Sequence, residues 1–195
     1  MSGQIFQCGY GAIVNEDVEV LEACLNELKC RGTIRVVEIG AHAGNTARGI
    51  ARWCEQHCIK LDYTGIDPID WEKQEGYKFP GPVIIGDSAE VHVQIPEGID
   101  LLWIDGCHCF NHVVLDTLNF EGKVAHGGFM CYHDVNPRSD ETDTYQYHGP
   151  HTPEFGIAVR PALEAIYFPF GAWEIFMERV PADRLDCGTR AYRKA

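Results

Sequence analysis

The chain reads Ile-Asp-Leu-Leu-Trp-Ile-Asp-Gly-Cys-His over residues 99–108 and Phe-Met-Cys-Tyr-His-Asp-Val-Asn over residues 129–136. Each segment is an apolar run of strand length that ends abruptly in polar side chains, which are Asp105, His108, His133 and Asp134. Ligands of open α/β sheets bind outside the carboxyl ends of the strands. The two segments therefore predict parallel strands whose polar ends converge on one functional site.

The same pattern, a short apolar run followed by a polar residue, occurs four times. The runs cover residues 63–66, 83–85, 101–104 and 129–132, and the residues that follow them are Asp67, Asp87, Asp105 and His133. Continuous apolar runs are expected where helices cover both faces of a parallel sheet. A further β-branched run lies at 34–39, and helical periodicity is present at 15–31, 45–58, 110–118 and 157–168. Asn15 is the predicted cap of the first helix.

Together these segments predict an α/β protein with a Rossmann-like, doubly wound sheet. Residues 173–180 and 184–192 predict an antiparallel strand pair at the C-terminal edge, so the sheet is expected to be mostly parallel. The side chains expected on the inner face of the helix at 110–118 are Phe110, Val113, Val114 and Leu118.

The composition limits the class of protein. With 195 residues, 45% hydrophobic and 23% charged, the chain fits a single domain over 1–195. Its formal charge of −13 disfavours nucleic acid and anionic membranes as partners, because phosphate binding depends on clustered Lys and Arg. No run approaches the roughly 20 apolar residues of a spanning helix, and the first residues do not resemble a secretory leader. We therefore expect a cytoplasmic protein.

The cysteines indicate a reducing compartment. Nine are present, an odd number, and they are spread irregularly through the chain. Cys54 and Cys58 are one helical turn apart and Cys107 and Cys109 bracket His108, but neither pair has a second half at zinc-finger spacing. Packing in the core is the role expected for most of the cysteines.

Two segments have no predicted regular structure. Residues 1–14 are compatible with an arm, a lid or a contact in a homo-oligomer, and nothing in their sequence selects one. Residues 136–156 combine Pro and Gly with polar residues and predict a long loop over the site. Its ring-bearing side chains either frame a hydroxylated substrate and exclude water or only pin the loop to the domain. They are Tyr145, Tyr147, His148, His151 and Phe155.

The segment Glu-Ile-Gly-Ala-His-Ala-Gly-Asn-Thr at 38–46 joins a predicted strand to a predicted helix. Glycines at 40 and 44 allow a ligand to approach the backbone and the helix amino terminus closely. A dinucleotide fingerprint needs a glycine where His42 stands, and Glu38 puts a carboxylate where phosphates would bind. The turn therefore favours a ligand that carries a cation and no phosphate.

This turn resembles the first motif of class I S-adenosylmethionine-dependent methyltransferases. The resemblance implies that Glu38, Gly40, Gly44, Asn45 and Thr46 surround the amino-acid part of S-adenosylmethionine. It also implies that Asp67 binds the ribose hydroxyls, that Asp87 and Ser88 lie at the adenine, and that Asp105 borders the cofactor. Helix caps or turn residues are the alternative for Asp67 and Asp87.

Residues 104–108 and 133–135 resemble a subgroup of these enzymes, the small-molecule O-methyltransferases that include metal-dependent sugar and macrolide types. The resemblance implies a small hydroxylated substrate, a divalent metal bound by Asp105 and Asp134, and His108 as general base. His133 is a third candidate metal ligand. Because an imidazole suits Mn²⁺, Fe²⁺ or Zn²⁺ better than Mg²⁺, it leaves the identity of the metal open, with Mg²⁺ or Mn²⁺ as the expected ions.

Elementary chemistry agrees with such a site. Methyl transfer to a hydroxyl requires the oxygen to lose its proton, and a metal that polarises the hydroxyl and an imidazole that titrates near neutrality both assist this. Two alternatives need no metal: His133 and Asp134 only cap their strand, or His108 only begins a helix and bonds a neighbouring carboxylate.

The sequence thus predicts a metal-assisted O-methyltransferase. Two other functions stay open at this point. A metal-dependent hydrolase would use His133 and Asp134 to activate water, and a non-catalytic module would bind the adenosyl cofactor without reaction.

Overall fold

A computed structural model describes residues 14–136, 159–166, 172–182 and 188–195. Nearly all of the predicted arm at 1–14 and of the predicted lid at 136–156 lies outside these residues. The roles expected for Tyr145, Tyr147, His148, His151 and Phe155 therefore stay predictions.

The strands form one mixed sheet. Their bounds are β1 Thr33–Ile39, β2 Lys60–Asp67, β3 Val83–Ile85, β4 Ile99–Ile104, β5 Val124–Tyr132, β6 Trp173–Arg179 and β7 Thr189–Lys194. The order across the sheet is β3-β2-β1-β4-β5-β7-β6. Strands β1 to β5 pair in parallel, whereas β7 is antiparallel to both β5 and β6. The predicted Rossmann-like α/β class and its antiparallel C-terminal pair are confirmed.

One helix precedes these strands in the chain and the others connect them. They are α1 Asn15–Leu28, α2 Asn45–Gln56, α3 Trp71–Glu75, α4 Ser88–Val91, α5 Phe110–Phe120 and α6 Val159–Ala165. The predicted cap of α1 is wrong, because Asn15 lies inside the helix and Val14 is the capping position. The Val14 N–H donates instead to Asp17 Oδ2 at 3.0 Å.

Helices cover both faces of the sheet, which explains why the central strand β4 and the second half of β5 are buried on both faces. One core joins α1 and α2 to the sheet through Leu21, Leu25, Ile50, Trp53, Val36 and Trp103. The other joins α5 and α6 to the opposite face through Val113, Phe120, Ala162, Leu163, Leu102 and Met130. The two layers hold the carboxyl ends of β1, β2, β4 and β5 in fixed positions along one edge.

The inner face of α5 differs from the prediction. Leu118 is 59% exposed and Phe110 is 37% exposed, so two of the four expected core residues face outward. The buried residues are Val113, Asp116, Thr117 and Phe120. The Thr117 hydroxyl donates to the Val113 carbonyl and lies 2.7 Å from the Tyr132 hydroxyl, so hydrogen bonds compensate for the polar groups on this face.

Two smaller expectations concern the last strand and the cysteines. Among the described residues the last strand covers Thr189–Lys194 and follows Gly188, which has a φ of +95°, and the predicted start at residue 184 lies outside the described residues. Cys24, Cys54 and Cys131 are buried, whereas Cys30, Cys58, Cys107 and Cys109 are exposed or half-buried, so core packing does not hold for most of the seven cysteines among the described residues. Cys30 and Cys58 follow helices, and Cys109 is the capping position of α5. In the described part of the chain, no helix combines the length and apolar character needed to cross a membrane.

Candidate functional site

The turn after β1 is shaped for close backbone approach. Gly40 has a φ of +85°, and a Cβ atom there would lie 2.1 Å from the carbonyl oxygen of Asp105. The Asp105 N–H also donates to the Ile39 carbonyl at 2.9 Å. Because β1 and β4 are neighbours, the predicted cofactor turn and the predicted catalytic acid meet at one point.

Glu38 lies beneath this turn and is 1% exposed. Its carboxyl group accepts a hydrogen bond from the Tyr63 hydroxyl and another from the side chain of Thr46. Burial raises the pKa of Glu38 to about 8, although the hydrogen bonds from Tyr63 and Thr46 oppose the rise. Glu38 and Thr46, two predicted site residues, are therefore in contact.

The other residues of the turn lie at the start of α2. Gly44 is the capping position of this helix, and Asn45 is its first residue. Arg48 Nη2 donates to Asn45 Oδ1 at 2.6 Å, which ties the Asn45 side chain to the first turn. The first backbone N–H groups of α2 have no partner within the helix, and the helix begins five residues after Gly40 in the chain.

Asp67 ends β2 beside the turn and is 5% exposed. Its carboxylate accepts from the N–H groups of His42 and Ile69, both at 2.9 Å, and from Trp71 Nε1 at 3.0 Å. These hydrogen bonds are typical of a residue that stabilises a turn, which is one of the alternative roles considered for Asp67. Each carboxylate oxygen can accept more than one hydrogen bond, so the ribose contact stays a prediction.

Asp87 and Ser88 begin α4. Asp87 caps the helix by accepting from the Ala89 N–H at 2.9 Å, and the Ser88 hydroxyl donates to Asp116 Oδ1 at 2.5 Å. Asp116 is 2% exposed, and burial raises its pKa to about 7. The contact of Asp87 and Ser88 with adenine stays a prediction, and Asp116 is an addition that the sequence did not indicate.

Asp105, His108 and Asp134 converge beyond the ends of β4 and β5. His108 lies between the two acids, with Nε2 3.4 Å from Asp105 Oδ1 and Nδ1 3.4 Å from Asp134 Oδ2. One ligand atom from each of the three residues lies within 4.8 Å of the others. Asp134 has a φ of +55°, a left-handed conformation that Asp tolerates better than most residues and that often marks functional positions.

The charges at this point are interdependent. Burial by itself would raise the pKa of Asp105, but the His133 and His108 imidazoles outweigh it and lower the pKa below 3.8. Burial would lower the pKa of His108, yet the carboxylates of Asp134 and Asp105 raise it above 6.5. Asp105 and Asp134 therefore favour the protonated form of the His108 ring that lies between them.

His133 lies against Asp105 and Asp134, as the convergence of the strand ends predicted, and its role as a third metal ligand stays a prediction. Its ring is 1% exposed, with Nδ1 3.0 Å from Asp105 Oδ1 and 3.4 Å from Asp134 Oδ1. Nε2 lies 3.1 Å from Asp17 Oδ2. Burial lowers the pKa of His133, but Asp105 and Asp134 raise it well above 6.5. His133 is thus buried with carboxylates at both nitrogens, which favour its protonated form. The histidine that forms a group with Asp105 and Asp134 at the candidate metal site is His108.

Residues 37–135 match the sequence profile of a family described as a methyltransferase domain. The match covers 99 residues, from 37 through 135, of the 195 in the chain. The chain belongs to this methyltransferase family. The resemblance to class I S-adenosylmethionine-dependent methyltransferases is confirmed. Membership of the metal-dependent O-methyltransferase subgroup stays a prediction. No curated protein matches the methyltransferase in sequence.

Solved methyltransferase structures share the fold. An O-methyltransferase from Bacillus cereus in complex with S-adenosylhomocysteine (SAH) is 15% identical, with 93% of this chain and 84% of that chain covered and a TM-score of 0.58. The N-methyltransferase NodS from Bradyrhizobium japonicum in complex with SAH is 14% identical, with 92% of this chain and 88% of that chain covered and a TM-score of 0.56. An rRNA methylase from Streptococcus thermophilus is 11% identical, with 94% and 99% covered and a TM-score of 0.57. At these identities the likeness concerns the fold alone.

The methyltransferase has one central residue that sequence reasoning missed. Asp17 is 0% exposed, and its carboxylate accepts hydrogen bonds from the Val14 N–H, the Gly188 N–H and the Thr189 hydroxyl. His133 Nε2 lies 3.1 Å from the same carboxylate. An acid in the first turn of a helix is ordinary, since it favours the helix dipole, so its sequence position carried no sign of burial. Asp17 joins α1, the start of β7 and the catalytic edge.

Proposed function

We propose that this methyltransferase transfers the methyl group of S-adenosylmethionine to a hydroxyl oxygen of a small molecule. Asp105 and Asp134 would hold a divalent cation, Mg²⁺ or Mn²⁺, and His108 would act as general base. The observation that carries the proposal is the convergence of Asp105, His108 and Asp134 directly beside the Gly40 turn. The family supports a methyltransferase and gives no support to the hydrolase alternative.

The cofactor pocket suits S-adenosylmethionine. Gly40 has no Cβ atom, and this lets the turn after β1 lie directly against the backbone of Asp105 and Gly106, which brings the two predicted cofactor-binding segments together. The buried carboxyl group of Glu38 lies beneath this turn, where an ammonium group would find a partner. Gly44, Asn45 and Thr46 would complete the contacts to the amino-acid part, Asp67 to the ribose, and Asp87 and Ser88 to the adenine.

The acids suit a hard cation. Carboxylate oxygens are preferred ligands of Mg²⁺ and Mn²⁺, which usually keep several positions for water or substrate oxygens. A bound cation would polarise the acceptor hydroxyl and make its proton easier to remove. His133 is a positioning residue in this proposal, because its imidazolium holds Asp105 from the buried side while Asp17 holds the imidazolium.

His108 is the group that would take the proton. Both of its nitrogens lie 3.4 Å from carboxylate oxygens, so the ring is oriented before a substrate arrives. The two acids raise the pKa of His108 in the metal-free protein, and a cation that takes up their negative charge would favour the neutral ring that can accept a proton. An amine acceptor is already nucleophilic when neutral, whereas a hydroxyl needs such a base, which favours oxygen as the acceptor atom.

The charge of the chain favours a small-molecule acceptor. A formal charge of −13 repels a phosphate backbone, and this argument applies even though an rRNA methylase shares the fold.

We expect metal-free protein to bind SAH with micromolar affinity in calorimetry and to give a second heat signal on addition of Mn²⁺. The signal should be lost in Asp134→Asn, because the variant removes one of two anionic ligands. Asp62→Asn is the matched control, since Asp62 is an acid with a 47% exposed side chain on β2 that pairs with Arg35, and it should retain both signals. Absence of SAH binding would overturn the cofactor assignment.

His108→Gln separates the role of base from that of metal ligand. The variant should keep the Mn²⁺ signal and lower methyl transfer by about 100-fold, measured with methyl-labelled S-adenosylmethionine on a panel of sugars and phenols. Loss of Mn²⁺ binding in this variant would make His108 a ligand and contradict its assignment as base.

Cofactor binding is also expected to release a proton from Glu38. The pKa of Glu38 is raised to about 8 in the unliganded protein, so the group is mostly protonated at neutral pH. A bound ammonium favours the carboxylate and lowers that pKa, so SAH affinity should rise with pH by up to about tenfold per unit and level off above pH 8.

Calorimetry at neutral pH in buffers of different ionisation enthalpy measures the released proton. The isosteric variant Glu38→Gln still accepts from Tyr63 but has no proton to lose, so its binding enthalpy should depend less on the buffer. The same buffer dependence in both proteins would exclude Glu38 as the source.

A further inference from the structure

A second group of metal-ligating side chains lies on the turn between β4 and α5. One ligand atom from each of Cys107, Cys109 and His112 lies within 4.8 Å of the others, and all three residues are half-buried. None of them belongs to the Asp105, His108 and Asp134 group. Their chemistry is also different, because two sulfurs and an imidazole nitrogen are soft or borderline ligands, whereas carboxylates are hard ones.

We propose that Cys107, Cys109 and His112 form a binding site for a thiophilic divalent cation, of which Zn²⁺ is the expected one. The site is distinct from the hard-cation site proposed for Asp105 and Asp134 and does not depend on the proposed methyl transfer to oxygen. Three protein ligands leave a fourth tetrahedral position for water or another ligand.

The sulfur positions fit a tetrahedral ion. Zn–S distances of about 2.3 Å at tetrahedral angles separate two sulfurs by about 3.8 Å. The Cys107 thiol donates a hydrogen bond to the Cys109 sulfur across 3.3 Å. Replacing the shared proton with a cation therefore needs an outward movement of the two sulfurs of only about 0.5 Å, which side-chain rotation can supply.

The local backbone favours the ligand set. Cys109 is the capping position of α5, an eleven-residue helix, and N–H groups at a helix amino terminus stabilise a thiolate. His112 lies in the first turn of the same helix, so its ring is near the turn that carries both cysteines. The short Cys-x-Cys-x-x-His spacing thus brings the three ligands together without long-range folding.

A further carboxyl group lies close by. Asp116 is one helical turn beyond His112 and interacts electrostatically with both cysteines. A nearby carboxylate stabilises a bound cation and its ligands. Because His108 lies between the two cysteines in sequence, a cation at this site would fix the turn that carries it.

Cobalt provides the direct test, because it is spectroscopically visible in tetrahedral thiolate sites. Reduced, metal-free protein titrated with Co²⁺ should develop near-ultraviolet sulfur-to-cobalt absorption that saturates at one equivalent and disappears when Zn²⁺ is added. Cys107→Ser should abolish the absorption. Cys30→Ser is the matched control, since Cys30 is exposed elsewhere, and Asp134→Asn should retain the absorption because it affects only the other group.

His112→Gln is the second variant, in case Cys107→Ser does not fold as judged by circular dichroism. It should weaken Zn²⁺ binding, measured by competition with a chromophoric chelator, by at least the roughly 10- to 100-fold that loss of an outer ligand partner costs. The proposal is overturned if the parent shows no sulfur-to-cobalt absorption. It is equally overturned if Cys107→Ser and His112→Gln bind metal as tightly as the parent.

Discussion

Replacing Asp17 with alanine is expected to lower the free energy of unfolding by about 3 to 5 kcal/mol. The carboxylate is fully buried and is the shared acceptor for Val14, Gly188, Thr189 and the His133 ring. Removing it leaves the Val14 N–H, the Gly188 N–H and the Thr189 hydroxyl without their acceptor. It also leaves His133 Nε2 without a carboxylate, while Nδ1 keeps its contact with Asp105. Buried donors and charges that lose a partner cost their full desolvation penalty.

Urea unfolding of the parent and of Asp17→Ala measures this loss. Glu19→Ala is the matched control, because Glu19 lies on the same helix and pairs with Arg179 at 3.1 Å but has a 59% exposed side chain. An exposed ion pair contributes at most about 1 kcal/mol, so this variant should be almost as stable as the parent. Equal losses in the two variants would show that Asp17 has no special role in joining α1 to the site.

The fold was predictable because its evidence is local. Four of the five parallel strands end in an apolar run followed closely by a polar residue, as at 101–104 before Asp105, and the helices between them show periodic apolar faces. The carboxyl ends of parallel strands share one edge of the sheet, so the approach of Asp105 to Asp134 was predictable from the two strand ends.

The remaining parts of the site depend on long-range packing. Asp17 and His133 are 116 residues apart in the chain, and their contact exists because α1 packs over the sheet near β7. No periodicity or residue spacing in the sequence indicates such a long-range contact. For the same reason the sequence did not separate the roles of His108 and His133, since both follow a strand and only burial distinguishes the enclosed imidazolium from the half-buried ring.

Helix α5 illustrates a third limit. Its apolar residues Phe110 and Leu118 suggested the inner face, yet Asp116 and Thr117 occupy it. Thr117 satisfies its hydroxyl with the Val113 carbonyl and Tyr132, and Asp116 accepts from Ser88. A hydrophobic pattern cannot reveal an inner face whose polar groups are compensated by hydrogen bonds from other elements.

Gly40→Ala is expected to destabilise the protein by more than about 3 kcal/mol and to abolish SAH binding. Two effects add. The φ of +85° is costly for any residue with a Cβ atom, and that atom would lie 2.1 Å from the Asp105 carbonyl oxygen, which is backbone and cannot rotate away. The ends of β1 and β4 would have to separate, and this movement displaces both the cofactor turn and Asp105.

Gly32→Ala separates these two effects. Gly32 has a φ of +71°, but a Cβ atom there would meet no atom within 4 Å, so the variant carries the backbone strain of about 1 kcal/mol without the clash. Urea unfolding and calorimetry with SAH are made on both variants. If Gly40→Ala loses no more stability than Gly32→Ala and still binds SAH, the close approach at Gly40 does not shape the cofactor site. Unimpaired SAH binding by Gly32→Ala, together with its loss in Gly40→Ala, would assign the effect to the meeting of the two strand ends.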